Sequence, residues 1–528
     1  MNLRLPAPAH TQLNFALLGL IFACLPSATF AQTFSGTLVD AVRITIDNEP
    51  TIASGKQRVA ASVAAVTSAA SVFDTTLNAG LGRTLQNTPA LAAQQPLVGP
   101  GISNLSNNYS VGATRKLRSG VTLNPALTIA RTLDNLSNPT APMRSDAALN
   151  VVFPLLRGSG TAVNTAPERA AQLELEAAQL SYRHAIATSI NRTVSNYWEY
   201  VSTQQSLAVQ RGSVERSRKL LDDARRLARA DEIPSAEVLK YEARLSRDRL
   251  GVINQEQALN QASVDLLQAM GLRKTDAALA PPADGFPDVA PASINQLLTP
   301  PTSSNVQTTA VRQRADVLAL QRRQQSAQTL LDAAESNPRS QLDLKVGVGY
   351  SSLVENRSAA SPLSALSAFR ASPGPNASIS LNFAFPVSNL AKQAEVAQRL
   401  AALELVNIDY TTSLNTLQRN LALQLGRLSE LLAQRNLALD QVDIQQRVSD
   451  NERRRYSAGL VTAFELLAAE EQLTQERLAA VAAAKRLAQA IVSFRFEAGL
   501  LLDANADTQT LPLAKLTSLP TLNELQAP

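Results

Sequence analysis

Apolar residues recurring at every seventh position, in two stretches of identical register, limit what this chain can fold into. Leu466, Leu473, Ala480, Leu487 and Phe494 run through a helical segment, residues 453–499, and seven-residue spacing is the seam of a coiled coil. Val238, Leu245, Val252, Leu259 and Leu266 repeat that ladder at a constant offset, since 466 − 238 = 228 and 494 − 266 = 228. Asp222, Arg225 and Arg226 precede the first ladder as Asp450, Arg453 and Arg454 precede the second, and Gly271 closes one as Gly499 closes the other. The chain is an internal duplication.

With 4% aromatic residues against 45% hydrophobic ones, Leu, Val and Ala must fill the contacts, a composition that suits long, closely approaching helices. A net charge of +5 over 528 residues, without dense Lys and Arg clusters, argues against nucleic acid as a partner. Residues 1–31 read as an export signal: Arg4 precedes an apolar run at 15–25, and Thr29, Phe30 and Ala31 supply a cleavage site, so the mature chain starts near Gln32. Cys24, the only cysteine, leaves with that signal; alternatively, Ile21-Phe22-Ala23-Cys24 makes it a lipid-anchored N-terminus. Past the signal no apolar run reaches the ~20 residues of a spanning helix, so a bilayer would be crossed by strands.

A short helix from Leu38 stops before Pro50, and a second covers 51–71. The period then changes to two. Phe73, Thr75, Leu77, Ala79 and Leu81 alternate with polar or small residues; 86–108 reads as a loop; Tyr109, Val111 and Ala113, then Val121, Leu123, Leu127 and Ile129, resume the alternation about a turn at 118–120. After a loop at 134–145, Ala147, Leu149, Val151 and Phe153 end at Pro154. Residues 167–271 are helical with one break near 231–234, where Pro234 opens the second helix of a hairpin.

The second half repeats the order: helix 306–336, a strand in which Leu342, Leu344, Val346, Val348 and Tyr350 alternate with polar and glycine residues, a loop at 351–376, and a strand with Ile379, Leu381 and Phe383. A helix from 389 to about 457 then turns at Gly459 into the heptad helix. The expected organisation is a first repeat at 32–280 (strands within 73–153, hairpin 167–271), a proline-rich linker at 281–305, a second repeat at 306–502 (strands within 341–386, hairpin 389–499) and a tail at 503–528.

Helices of about 65 to 70 residues span roughly 100 Å, and return helices of about 37 residues match them only if each stacks end to end with the helix that precedes the strands. The strands suit either a transmembrane barrel or a half-buried antiparallel sheet. The export signal and the polar loops between strands favour the barrel. Four to six strands cannot close one, and open edges are not tolerated in hydrocarbon, so several chains must share it. The fold class is therefore mainly α with a transmembrane β-barrel part: duplicated coiled-coil hairpins form an α-barrel, and association closes the β-barrel.

This arrangement resembles the TolC-like outer membrane efflux proteins over nearly the whole mature chain. The residues that carry the resemblance are Tyr456-Ser457-Ala458-Gly459-Leu460-Val461-Thr462, Glu465-Leu466-Leu467, Leu473 and Ala498-Gly499 in the second copy. Ile233, Glu237-Val238-Leu239, Leu245 and Met270-Gly271 follow in the first, with Phe153-Pro154-Leu155-Leu156, Phe385-Pro386 and Arg314-Ala315-Asp316-Val317 elsewhere. Asp231 stands where the family has glycine, and Ala468 where it often has a further acid. The resemblance implies a homotrimeric channel in the outer membrane of a Gram-negative bacterium, extending into the periplasm. It implies an exit duct for a tripartite efflux or type I secretion system, with a periplasmic adaptor and an inner-membrane transporter of the RND, ABC or MFS type. The tip, with Gly459, Leu460, Val461, Thr462, Asp231, Ile233 and Pro234, would dock the adaptor and open like an iris. A periplasmic adaptor, with one hairpin flanked by lipoyl-like halves, and a structural coiled coil are the alternatives.

Histidine occurs only at His10 and His184, too few for a histidine metal site or a catalytic triad, and Gly158-Ser159-Gly160 reads as a plain turn. Neither an enzyme nor a cofactor is expected. At the periplasmic gate, Glu465 either forms a carboxylate ring about a threefold axis or pairs with a neighbouring arginine. Tyr456 either hydrogen-bonds across helices, as the resemblance implies, or packs. Arg453, with Arg454 and Arg455, either latches the closed tip or is a solvated run.

Overall fold

The computed structural model describes residues 34–135, 142–273, 279–298, 302–338, 340–354, 374–502, 512–521 and 524. The export signal, Cys24, the interiors of the expected loops at 134–145 and 351–376, and the start of the tail lie outside them. Two helices open the chain, α1 (Leu38–Asn48) and α2 (Pro50–Ala70), with Pro50 at the first position of α2 and the Glu49 carboxylate capping it through the Ile52 amide. Strands β1 (Thr76–Pro89), β2 (Gly101–Lys116), β3 (Thr122–Asp134) and β4 (Met143–Pro154) follow, with a four-residue helix α3 (Gln95–Val98) between β1 and β2. Then come α4 (Thr161–Asn164) and the hairpin α5 (Ala166–Arg229) and α6 (Ser235–Ala269).

Helices α7 (Pro291–Leu298), α8 (Thr302–Gln313) and α9 (Ala315–Ser336) lead to β5 (Gln341–Val354) and β6 (Gly374–Ala384). The second hairpin, α10 (Leu390–Ser457) and α11 (Ala463–Glu497), and a short α12 (Leu513–Thr517) complete the chain. No described helix is long and apolar enough to cross a membrane.

Three expectations are corrected. The loop expected at 86–108 shrinks to 90–100, because β1 and β2 pair from Thr76↔Thr114 to Pro89↔Gly101. Backbone ladders form whatever the side chains, and the Asn- and Ser-rich ends of these strands need no apolar face to do so. The linker at 281–305 is not structureless: α7 starts on Pro291 and buries Ile294 and Leu297 against Leu417, Leu421 and Phe494. The helix expected at 306–336 is broken at Arg314, whose extended backbone (ψ 116°) separates α8 from α9.

The expected stacking is present, and two glycines make it possible. α5 packs against α6 along one part and α2 along another, while α9 bridges α5 and α10. Gly271, at φ +74°, ends α6 where a β-carbon would stand 2.4 Å from the Asn48 carbonyl oxygen, at the junction of α1 and α2. Gly499, at φ +73°, ends α11 against the Arg314 amide in the same manner. A buried apolar core surrounds these junctions, with Tyr197, Trp198, Val194 and Leu266 on one side and Leu421, Leu428, Leu487 and Phe494 on the other.

All six strands join in one antiparallel sheet ordered β1-β2-β3-β4-β5-β6. The constant register puts Leu77, Val111, Leu127, Leu149, Val348 and Leu381 on one face. It puts Asn78, Ser110, Asn124, Asn150, Lys345 and Asn382 on the other. β1 and β6 are the free edges, and both are exposed along nearly their whole length, Leu81 to 85% and Ile379 to 75%.

The helical tip as candidate functional site

Both hairpins turn at the end of the molecule opposite the sheet, and the duplication extends to single hydrogen bonds. Leu460 N–H donates to the Arg455 carbonyl at 2.9 Å, and 228 residues earlier Glu232 N–H donates to the Leu227 carbonyl at 3.0 Å. Gly459 takes φ +73° at the turn, and its counterpart Asp231 takes φ +58°. The aspartate therefore adopts the glycine's left-handed conformation, and the two turns are equivalent despite the substitution.

The ends of the four helices enclose a cleft of about 1070 Å³ lined by Arg216, Ile233, Pro234, Tyr241, Arg453, Tyr456, Gly459, Val461, Thr462, Phe464 and Leu466. Its floor is the apolar cluster Leu220, Leu221, Ala224, Tyr241, Leu245 and Leu466. Leu460 and Phe464 stand out beside it, each 71% exposed. The structure thus brings together seven of the ten expected site residues in the wall of the cleft, and leaves Asp231, Leu460 and Glu465 at its margin.

Tyr456 on α10 shares a 2.8 Å hydroxyl–hydroxyl hydrogen bond with Tyr241 on α6, across the two hairpins. Burial, then that hydrogen bond, pushes the Tyr241 phenol well above its ordinary value. Arg453 pairs with Glu470, a carboxylate only 4% exposed that also accepts from Arg216 Nε at 2.8 Å and Ser449 Oγ at 3.1 Å. Arg216 belongs to α5 and Arg453 to α10, so Glu470 on α11 ties the two hairpins. Next to it, Glu471 accepts from the buried Arg244 at 2.6 Å, and Arg244 also pairs with Asp248 at 3.1 Å.

Among the described residues Glu465 forms no ion pair with a neighbouring arginine. Its carboxylate accepts from Thr462 N–H at 2.7 Å, while the Thr462 side chain accepts from the Glu465 amide, a capping box that starts α11.

Sequence reasoning missed Tyr241, Arg216, Phe464 and the part played by Glu470. One signal was available: Arg453 and Glu470 repeat Arg225 and Glu242 at the 228-residue offset, and the earlier pair also forms, at 2.7 Å. What buries Glu470 and not Glu242 is the packing of α5 on α11, which no spacing shows.

No protein-family model matches the chain, and no curated protein matches it by sequence. Solved structures do match in three dimensions. The Campylobacter jejuni CmeC outer membrane channel superposes with a TM-score of 0.64 at 14% identity, covering 92% of this chain and 90% of that one. The fold is that of an outer membrane channel. A membrane protein of Pseudomonas aeruginosa (TM-score 0.65, 16% identity, 88% and 93% covered) and the Vibrio cholerae outer membrane protein VceC (0.62, 14%, 88% and 96%) share it. In this fold the sheet lies at one end and the cleft between the hairpin turns at the other.

Proposed function

We propose that the chain is the outer-membrane exit duct of a tripartite efflux or type I secretion system, conducting substrates passively from the periplasm to the outside. The observation that carries this reading is the six-stranded sheet: one face is mainly Leu, Val, Ile and Ala, the other mainly polar or small, and both edge strands are unpaired within the chain. Such a sheet is soluble nowhere by itself, but three copies joined edge to edge give 3 × 6 = 18 strands, enough for a closed barrel with an aqueous lumen.

The helices offer matching edges. In the row α6, α5, α11, α10, the outer helices keep apolar residues on faces unpartnered within the chain, Leu250 and Ile253 on α6 and Leu437 and Ile444 on α10. Such head-to-tail contacts close into a ring. An adaptor would instead show one hairpin between lipoyl-like halves.

At the tip, Tyr456 and Arg453 hold the closed state through Tyr241 and Glu470. Adaptor docking at Gly459, Leu460, Val461 and Thr462, and at Asp231, Ile233 and Pro234 of the first turn, releases them. An inner-membrane transporter supplies the energy. Membrane fractionation with a heat-sensitive gel shift tests the reading: the chain is expected in the outer membrane as an oligomer that collapses to monomer on boiling. A soluble monomer in the periplasmic fraction refutes it.

A further inference from the structure

Charge is distributed unevenly along the cleft between the hairpin turns. On α5 its lining runs from Arg226, beside the first turn, to Arg216, and 226 − 216 = 10 residues of helix put them about 15 Å apart. At the turn end the charges pair off, Arg226 with Asp223 and Lys240 with Glu237, and Glu232 is the further acid of the lining. At the other end they do not. Arg216 and Arg453 share one carboxylate, Glu470, and Arg216 gives its remaining bond to the Thr474 hydroxyl at 3.1 Å. Lys219, one helical turn from Arg216 on the same face of α5, is exposed and has no carboxylate partner among the described residues. Three cations thus meet one anion there. Between the two ends the wall is apolar: Leu220, Tyr241 and Leu466 form the floor, and Phe464 enters the lining from the second hairpin, 71% exposed.

Sites for small organic molecules are concave and mostly apolar, with a few polar groups that fix orientation, and a cleft of about 1070 Å³ is large enough to hold one. The polar groups here select for negative charge, since an unpaired ammonium stands beside two guanidinium groups that have one acid between them. A plain inorganic anion would leave Phe464 and Leu220 wet, and a cation would be repelled by Lys219.

We infer that the cleft binds an amphipathic organic anion, its carboxylate or sulfonate on Lys219 and Arg216 and its apolar body against Phe464, Leu220 and Tyr241. The ligand touches both hairpins, α5 and α6 of the first and α11 of the second. The site goes beyond the duct reading and does not depend on it, because every residue that forms it belongs to one chain.

The test offers naphthalenesulfonate to the full chain in dodecyl maltoside micelles and follows binding by equilibrium dialysis, with empty micelles as the blank and naphthylmethylammonium as a cation of the same shape. Saturable binding of the sulfonate is expected, with the ammonium bound roughly tenfold more weakly. Lys219→Gln should weaken sulfonate binding roughly tenfold, the loss of one charged hydrogen bond, and Phe464→Ala roughly fivefold, the loss of one aromatic contact. Both side chains are exposed, so neither change threatens folding. Lys56→Gln, which removes an exposed charge from α2, leaves binding unchanged. No saturable binding, equal binding of the ammonium, full affinity in both cleft variants, or an equal loss in Lys56→Gln overturns the site. A loss in Lys219→Gln alone overturns the amphipathic ligand in favour of a simple anion, and a loss in Phe464→Ala alone overturns the anion. The duct reading fails separately, in the membrane fractionation.

Discussion

Glycines at the ends of the return helices illustrate how single residues decide the long-range architecture. Gly271 combines a left-handed backbone with a β-carbon position 2.4 Å from the Asn48 carbonyl oxygen, whereas nothing lies within 4 Å of the corresponding point on Gly459. Gly271→Ala should therefore cost about 2–3 kcal/mol in thermal unfolding, from strain and clash together, and Gly459→Ala about 1 kcal/mol, from strain alone. Asp231→Gly, which relieves the same strain in the first turn, should stabilise by up to about 1 kcal/mol. His184 is a second residue-scale test. Burial foremost, with Arg314 adding to it and the Asp316 carboxylate 3.7 Å away opposing it, lowers its imidazole below the ordinary value. The unfolded chain then takes up the proton first, so stability is complete above about pH 6.5 and falls as the pH drops below it. Unfolding midpoints measured from pH 7.5 to 5 should fall less steeply for His184→Gln than for the parent.

Among the elements, the helices were legible because their signals are long: heptads over five repeats, Pro50 and Pro234 at helix starts, glycine at helix ends. The strands were legible where one face is apolar, as in β5, and lost where both faces turn polar, as in the ends of β1 and β2. The contacts between the hairpins were not legible, since Tyr241 and Tyr456 lie 215 residues apart and share no position under the duplication. Their hydrogen bond, of about 1 kcal/mol, is weak enough for docking to break. Tyr456→Phe with Arg453→Ala should raise single-channel conductance in planar bilayers. Tyr241→Phe should match Tyr456→Phe, and the two tyrosine changes together should do no more than either one, because both remove the same bond. Additive effects would separate the tyrosines. Glu470→Ala is expected to destabilise the hairpin contact by about 1–3 kcal/mol, below the cost for a fully buried pair because Arg453 is half exposed. Gly459→Trp, with open space around it, should leave membrane insertion intact and abolish efflux.

For the whole molecule, six strands with two bare edges and four long helices with two bare flanks leave the chain open on both sides, and on the reading proposed above the chain supplies both sides of each joint. Sequence alone left the strand count between four and six, with the hairpin from Tyr109 to Ile129 undecided, and the structure puts both of its strands in the sheet. The central claim is that copies close the sheet edge to edge, β1 of one against β6 of the next. It is tested most directly by placing one cysteine on each edge, Leu81→Cys and Ile379→Cys, with Cys24→Ser removing the native thiol, and treating purified outer membranes with a bis-maleimide. The account predicts a ladder of two and then three chains that stops at three, whereas each single-cysteine variant stops short of three. Monomers alone, or a ladder that runs on past three, would contradict it.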